Sequence, residues 1–147
     1  MKVLVVEDEP LIAASMEWEL RDAGYEVLGP AADAAEAEAL CAEHHPDLAL
    51  VDINLAERGD GITLARQLTR AGVTSVFVSG QIWDARENCD AALGLIAKPF
   101  AVERLPEAVD AALALLGGGR PVIPPCLELF TRPQSEAPAP VRQAAGR

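Results

Sequence analysis

Short apolar runs alternate with helix-patterned stretches five times along the first 116 residues, and few architectures accept that order. Lys2–Val6 (KVLVV) is β-branched and apolar on both faces, as strands buried in a parallel sheet are. Pro10 then stands where a helix can begin, and Leu11–Ala23 runs to Gly24, a residue suited to end it. Glu26–Gly29 is a weaker strand. Asp33 is placed to cap a second helix that ends before Pro46. Asp47–Val51 is the third strand, and a polar loop with Gly59 and Gly61 leads to a helix over Ile62–Ala71. Ser75–Ser79 is the fourth strand, followed by a helix capped by Asp84 and running through Ala92. Leu93–Ala97 and Val102–Leu116 complete the fifth pair.

Strands that alternate with helices imply right-handed crossovers and helices on both faces of a parallel sheet. Five such units predict an α/β, flavodoxin-like doubly wound fold: a five-stranded parallel sheet of order 2-1-3-4-5 with five helices. Residues 1–116 are expected to be one domain. Residues 117–147 open with Gly117-Gly118-Gly119, hold six of the eleven prolines, and read as a Gly/Pro/Ala-rich tail. Within it Val122–Phe130 is apolar enough either to fold back on the domain or to dock on a partner.

Charge divides along the same line. The first 116 residues carry 21 Asp and Glu against 8 Lys and Arg; the remainder carries 2 against 4. An overall charge of −11 argues against nucleic acid as a partner, because phosphates demand a basic surface. No run reaches the ~18 apolar residues of a membrane span, so no membrane contact is expected. Acids interrupt the N-terminal run before a secretory segment can form, which makes the cytoplasm the expected compartment. Cys41, Cys89 and Cys126 lack metal-ligand spacing and read as free thiols.

The chemistry gathers at strand ends, where ligands of open parallel sheets bind. Glu7 and Asp8 follow the first strand, Asp52 the third, and Lys98 the fifth, while Ser79 ends the fourth. Three carboxylates at close range repel one another unless a cation sits among them. A hard divalent ion, Mg²⁺ above all, accepts few carboxylates and keeps waters. A carboxylate can also act as a nucleophile and form an acyl phosphate, with a lysine neutralising the phosphoryl oxygens. The Ser79 hydroxyl is suited to hydrogen-bond a phosphoryl oxygen.

The segments VLVVEDEP, LALVDINL, VFVSG and IAKPF together resemble the motifs of response-regulator receiver domains of two-component signalling, over roughly residues 1–116. The resemblance implies that Asp52 is the phospho-acceptor, Ser79 the hydroxyl switch position and Lys98 the phosphate-contacting lysine. It implies Mg²⁺ held by Asp8 directly, by Glu7 largely through metal-bound water, by Asp52, and by the backbone carbonyl of Asn54. VFVSG also resembles the fourth-strand motif of the single-domain receivers nicknamed FAT GUY, with Val78 and Ser79 in place of alanine and threonine. Leu95 stands where receivers usually carry an aromatic residue, so activation through a rotating ring is not expected. Glu7-Asp8 replaces the commoner Asp-Asp pair, and the loop after Asp52 lacks the usual proline and runs one residue longer before Asp60-Gly61.

No helix-turn-helix, cyclase or methylesterase sequence follows residue 116. The expectation is a stand-alone receiver that is not an enzyme in its own right, beyond catalysing its own phosphorylation and slow dephosphorylation. Its phosphodonor would be a histidine kinase or a histidine phosphotransfer protein, and its output contact with a downstream protein or relay of the phosphoryl group. A homodimer stays open. On the first helix, Ile12, Met16 and Leu20 form the stripe expected to face the sheet. Leu11, Ala14 and Trp18 form another, and with Pro99 and Phe100 they make the expected docking face for the phosphodonor. An alternative reading is a Mg²⁺-dependent phosphatase of the aspartyl-phosphate type. Such enzymes usually place a second Asp two residues after the nucleophile, where this chain has Asn54. A flavin-binding reading fails on the acids that stand where a Gly- and Ser/Thr-rich phosphate loop is needed.

Overall fold

The computed structural model describes residues 1–55 and 60–130; Gly59 and the tail beyond Phe130 lie outside that range. Five strands and five helices alternate along the chain: β1 (Lys2–Val6), α1 (Pro10–Asp22), β2 (Glu26–Ala31), α2 (Ala34–His44), β3 (Leu48–Val51), α3 (Gly61–Arg70), β4 (Ser75–Ser79), α4 (Ile82–Glu87), β5 (Gly94–Ala97) and α5 (Leu105–Leu116). The strands pair in parallel in the order β2-β1-β3-β4-β5, as expected from the alternation. A sixth strand, β6 (Leu127–Leu129), adds antiparallel to the free edge of β5.

Side chains on successive strand residues point to opposite faces, and both faces are buried. Leu4, Val6, Ala49, Val51, Phe77 and Leu95 form one core with Leu64 and Leu68 of α3 and Ala37 of α2. Val3, Val5, Leu50, Val78 and Ile96 form the other with Met16 and Leu20 of α1 and Leu105 and Val109 of α5. Met16 and Leu20 thus face the sheet as the spacing predicts, with Ile12 packed at the margin of the same core. Among the described residues no helix is long and apolar enough to cross a membrane.

Three elements depart from the sequence reading. α4 begins at Ile82, which puts Asp84 inside its first turn instead of at its cap, and it ends at Glu87 instead of Ala92. Asn88 closes it by donating from its backbone and its side chain to the Asp84 carbonyl, and the Arg66 guanidinium holds Asn88 and Asp90 from α3. The last helix starts with a tight 3₁₀ turn over Val102–Arg104, and α5 proper begins at Leu105 with Pro106 in its first turn. The apolar stretch Val122–Phe130 folds back on the domain and supplies β6. Gly94 makes that possible, because a Cβ there would lie 2.4 Å from the Glu128 carbonyl oxygen.

Candidate functional site

The parallel register brings the strand ends to one level. Val6 pairs with Val51, so Glu7 and Asp52 leave adjacent strands side by side, and Ser79 pairs with Ala97, the residue before Lys98. Backbone bonds fix these exits: the Glu7 amide donates to Ala31, the Asp52 amide to Val6, and the Lys98 amide to Ser79. Ile53 and Leu55, just after Asp52, are buried.

Glu7 and Asp52 are 3 % and 6 % exposed, which is rare for carboxylates without partners. Lys98 supplies the partner. Its Nζ donates to Glu7 Oε1 at 2.7 Å and to Asp52 Oδ2 at 3.1 Å. The second oxygens are engaged by backbone amides: Glu9 N–H donates to Glu7 Oε2 at 3.1 Å and Asn54 N–H to Asp52 Oδ1 at 3.2 Å. Ser79 is fully buried, and its Oγ accepts the Gln81 N–H at 3.1 Å. Asp8, Glu9, Asp52, Asn54, Ser79, Gly80, Gln81 and Lys98 line a polar cleft of about 350 Å³.

Burial pushes the Glu7 carboxyl above its ordinary value, and the neighbouring Asp52 charge adds to that, against the opposing hydrogen bonds from Lys98 and Glu9. Burial alone would lower the Lys98 ammonium, but its hydrogen bonds and charge contacts with Glu7 and Asp52 outweigh that and raise it. Lys98 is therefore charged at neutral pH. Oxygens of Glu7, Asp8 and Asp52 all lie within 4.8 Å of one another. One ammonium cannot balance three carboxylates, and an all-oxygen set partly open to a polar cleft suits a hard divalent cation. These residues fit Mg²⁺.

The structure brings together Glu7, Asp8, Asp52, Asn54, Ser79 and Lys98. The expected docking residues lie beside them. Leu11 and Trp18 are 85 % and 71 % exposed, and Ala14 is exposed between them. Leu11, Pro99 and Phe100 line an apolar groove of about 510 Å³ with Ile12, Ser15, Lys98 and Val102. Ala14 and Trp18 stand outside that groove.

Two participants escaped the sequence reading. The Gln81 amide holds Ser79, and a backbone donor leaves no mark in a sequence. Gly61 is the other. A Cβ on it would fall 2.0 Å from the Asp52 carbonyl oxygen and 2.7 Å from Ile53 Cα, so α3 starts in backbone contact with the end of β3. Asp60 caps that helix through the Ile62 and Thr63 amides. The pair Asp60-Gly61 was the available signal.

Residues 3–110 match the family described as response regulator receiver domain. The transcriptional regulatory protein PdtaR of Mycobacterium tuberculosis is 32% identical over 117 residues, covering 77% of this chain and 57% of that protein. The virulence transcriptional regulatory protein PhoP of Salmonella typhimurium is 34% identical over 110 residues, with 71% of this chain and 48% of PhoP covered. The chain therefore spans about half the length of these curated relatives. Among solved structures, a CheY-like response regulator receiver domain protein from Methanospirillum hungatei superposes with a TM-score of 0.71. It is 29% identical, and the match covers 80% of this chain and 96% of that one.

Proposed function

The chain belongs to the response-regulator receiver family of two-component signalling, and from that premise we propose that Asp52 accepts a phosphoryl group from the phosphohistidine of a kinase or phosphotransfer protein. The observation that carries this reading is the buried Asp52 carboxylate, 3.1 Å from the Lys98 ammonium inside an acidic cleft open to a donor. A carboxylate oxygen of Asp52 forms the bond to phosphorus as the donor's P–N bond breaks, and the imidazole leaves with the electron pair and takes a proton from solvent. Lys98 is placed to follow the transferred charge, exchanging its Asp52 contact for a phosphoryl oxygen while Glu7 holds it. The Ser79 hydroxyl lines the same cleft and can donate to another phosphoryl oxygen.

Mg²⁺ would be held by Asp8, Asp52 and the Asn54 carbonyl, with Glu7 acting through its water; when bound it supplies positive charge opposite the phosphoryl oxygens. The phosphodonor protein docks on α1 through Leu11, Ala14 and Trp18 and on Pro99 and Phe100 of the adjoining groove. Output is contact with a downstream protein or onward transfer of the phosphoryl group, in the cytoplasm, where Cys41, Cys89 and Cys126 stay free thiols. The phosphatase reading has less support, since Asn54 cannot shuttle the proton that turnover needs.

The test is mass spectrometry after incubation with acetyl phosphate and Mg²⁺. One phosphoryl group is expected on the native chain and none on Asp52→Asn. Labelling of Asp52→Asn to the native extent would falsify the assignment, and steady hydrolysis of a generic phosphate ester would favour the phosphatase.

A further inference from the structure

The free edge of β5 is closed by the chain's own C-terminal segment. β6 lies on it in the register Gly94↔Leu129, Leu95↔Glu128 and Ile96↔Leu127, and the Phe130 amide donates to the Leu93 carbonyl at 3.0 Å. The seat is shaped for a strand, because Gly94 lets the Glu128 backbone approach closer than any side chain would allow. The hold is nevertheless light. β6 has three residues, of which only Leu127 is buried, and such short edge pairings open locally at small cost.

The side chain of Glu128 ties this strand to α4. Arg86 grips it with two hydrogen bonds, Nε to Oε2 at 3.0 Å and Nη2 to Oε1 at 2.9 Å, while its guanidinium lies 5.6 Å from the Trp83 ring centroid. α4 has six residues and starts just beyond Ser79, whose Oγ accepts the Gln81 amide at its entrance. A short route therefore runs from the Asp52 cleft through Ser79 to the Gln81 amide, along α4 to Arg86, and across to Glu128.

We propose that residues 120–130 form a strap whose hold on the β5 edge depends on the state of Asp52: docked on the free carboxylate form, loosened when Asp52 carries a phosphoryl group. The inference rests on Asp52 being the acceptor. Ser79 Oγ can accept the Gln81 amide and donate its proton to a phosphoryl oxygen at once, so rotating toward that oxygen shifts Oγ and draws the Gln81 amide at the entrance of α4 with it. Ala85 in the core and Arg66 on Asn88 anchor α4 elsewhere, so the shift is taken up on its exposed side, where the Arg86–Glu128 pair gives way first. Loosening uncovers the edge of β5 and the side of α5, a surface that an extended segment of another protein can fill by adding a strand. Coupling of this kind is reciprocal, so the docked strap disfavours the phosphorylated form.

The full chain reports on this directly. Cys126 immediately precedes β6 within the strap, with its Sγ 3.9 Å from the Arg104 carbonyl, and Cys41 is buried. In a Cys89→Ser background with acetyl phosphate and Mg²⁺, Cys126 alkylation and Phe130 amide exchange should rise together, by about five-fold or more, the lower range of ordinary coupling. Glu128→Gln should raise both without a phosphodonor. Unchanged rates in a chain that mass spectrometry shows to be phosphorylated overturn the strap and leave the acceptor reading standing. Unchanged rates in unphosphorylated Glu128→Gln overturn the tie to α4. A chain that takes up no phosphoryl group overturns both readings and is recognised by its mass.

Discussion

Asp52 is presented by backbone contacts as much as by its charged neighbours. Its amide is held by Val6, its Oδ1 by the Asn54 amide, and its carbonyl touches Gly61, where α3 begins. Position 61 has no room for a side chain, since a Cβ would stand 2.0 Å from that carbonyl oxygen. Gly61→Ala must push α3 away from β3 or tilt the Asp52 peptide. Overpacking of this kind costs about 1–3 kcal/mol of stability. A displaced nucleophile loses rate as well, and a 1 Å error can cost ~10²-fold. Gly61→Ala is therefore expected to unfold at lower urea and to take label from acetyl phosphate at least ~10-fold more slowly where it is still folded. Native labelling kinetics in the folded variant would show that α3 can recede without moving Asp52. The acids were legible in the sequence because Glu7, Asp8 and Asp52 stand, with Ser79 and Lys98, at the ends of apolar strands of one parallel sheet. The glycine's role was not, because a close approach is a property of two distant segments.

Among the elements, α1 shows how a helix can serve two surfaces. Met16 and Leu20 bury against the sheet, while Leu11, Ala14 and Trp18 leave an apolar face in solvent beside the groove of Pro99 and Phe100. Aromatic anchors at an interface centre often carry ~2 kcal/mol or more when truncated. Trp18→Ala should thus slow phosphotransfer from the cognate kinase by ~30-fold, the rate equivalent of that energy, with acetyl phosphate labelling unchanged. Equal loss with both donors would mark a folding defect instead. Tyr25, in the turn after α1, hydrogen-bonds Asp110 of α5 and so ties the two helices that flank this face. Burial, and then the Asp110 carboxylate, raise the phenol well above its ordinary 10.0. A raised folded value means that this contribution to stability is complete below pH 10 and is lost as pH climbs through the folded pKa. Tyr25 is the chain's one tyrosine, so ultraviolet titration reads it alone. Ionisation is expected later in the native chain than in urea; superimposable curves would remove the tie. Helix and strand identities followed from periodicity, but the end of α4 did not. Ala91 and Ala92 suit a helix, and it is Arg66, from another element, that holds Asn88 and Asp90 out of one.

At the scale of the molecule, the parallel sheet was readable because short apolar runs buried on both faces alternate with helical stretches, two of them capped by Asp33 and Asp60. The sixth strand was hidden among prolines, and its pairing with β5 joins residues more than thirty positions apart. Leu127–Leu129 alternates apolar and acidic residues over too few positions to announce a strand. Its apolar surroundings nevertheless announced burial, and the fold gives Leu127 4 % exposure in the core shared with α5. A chain ending at Leu116 keeps every group placed around Asp52, but it uncovers the β5 edge and the side of Ile96 that Leu127 covers. Burying one leucine is worth ~1.5–3 kcal/mol, part of it offset by the freedom the strap regains. The truncated chain should then be labelled at Asp52 to at least the native extent, unfold about 1–2 kcal/mol more easily, and self-associate with rising concentration through its bare edge. Urea midpoints, mass spectrometry and sedimentation separate these three effects. Loss of labelling in a folded truncation would mean that the C-terminal segment helps to build the phosphorylation site instead of only closing the sheet.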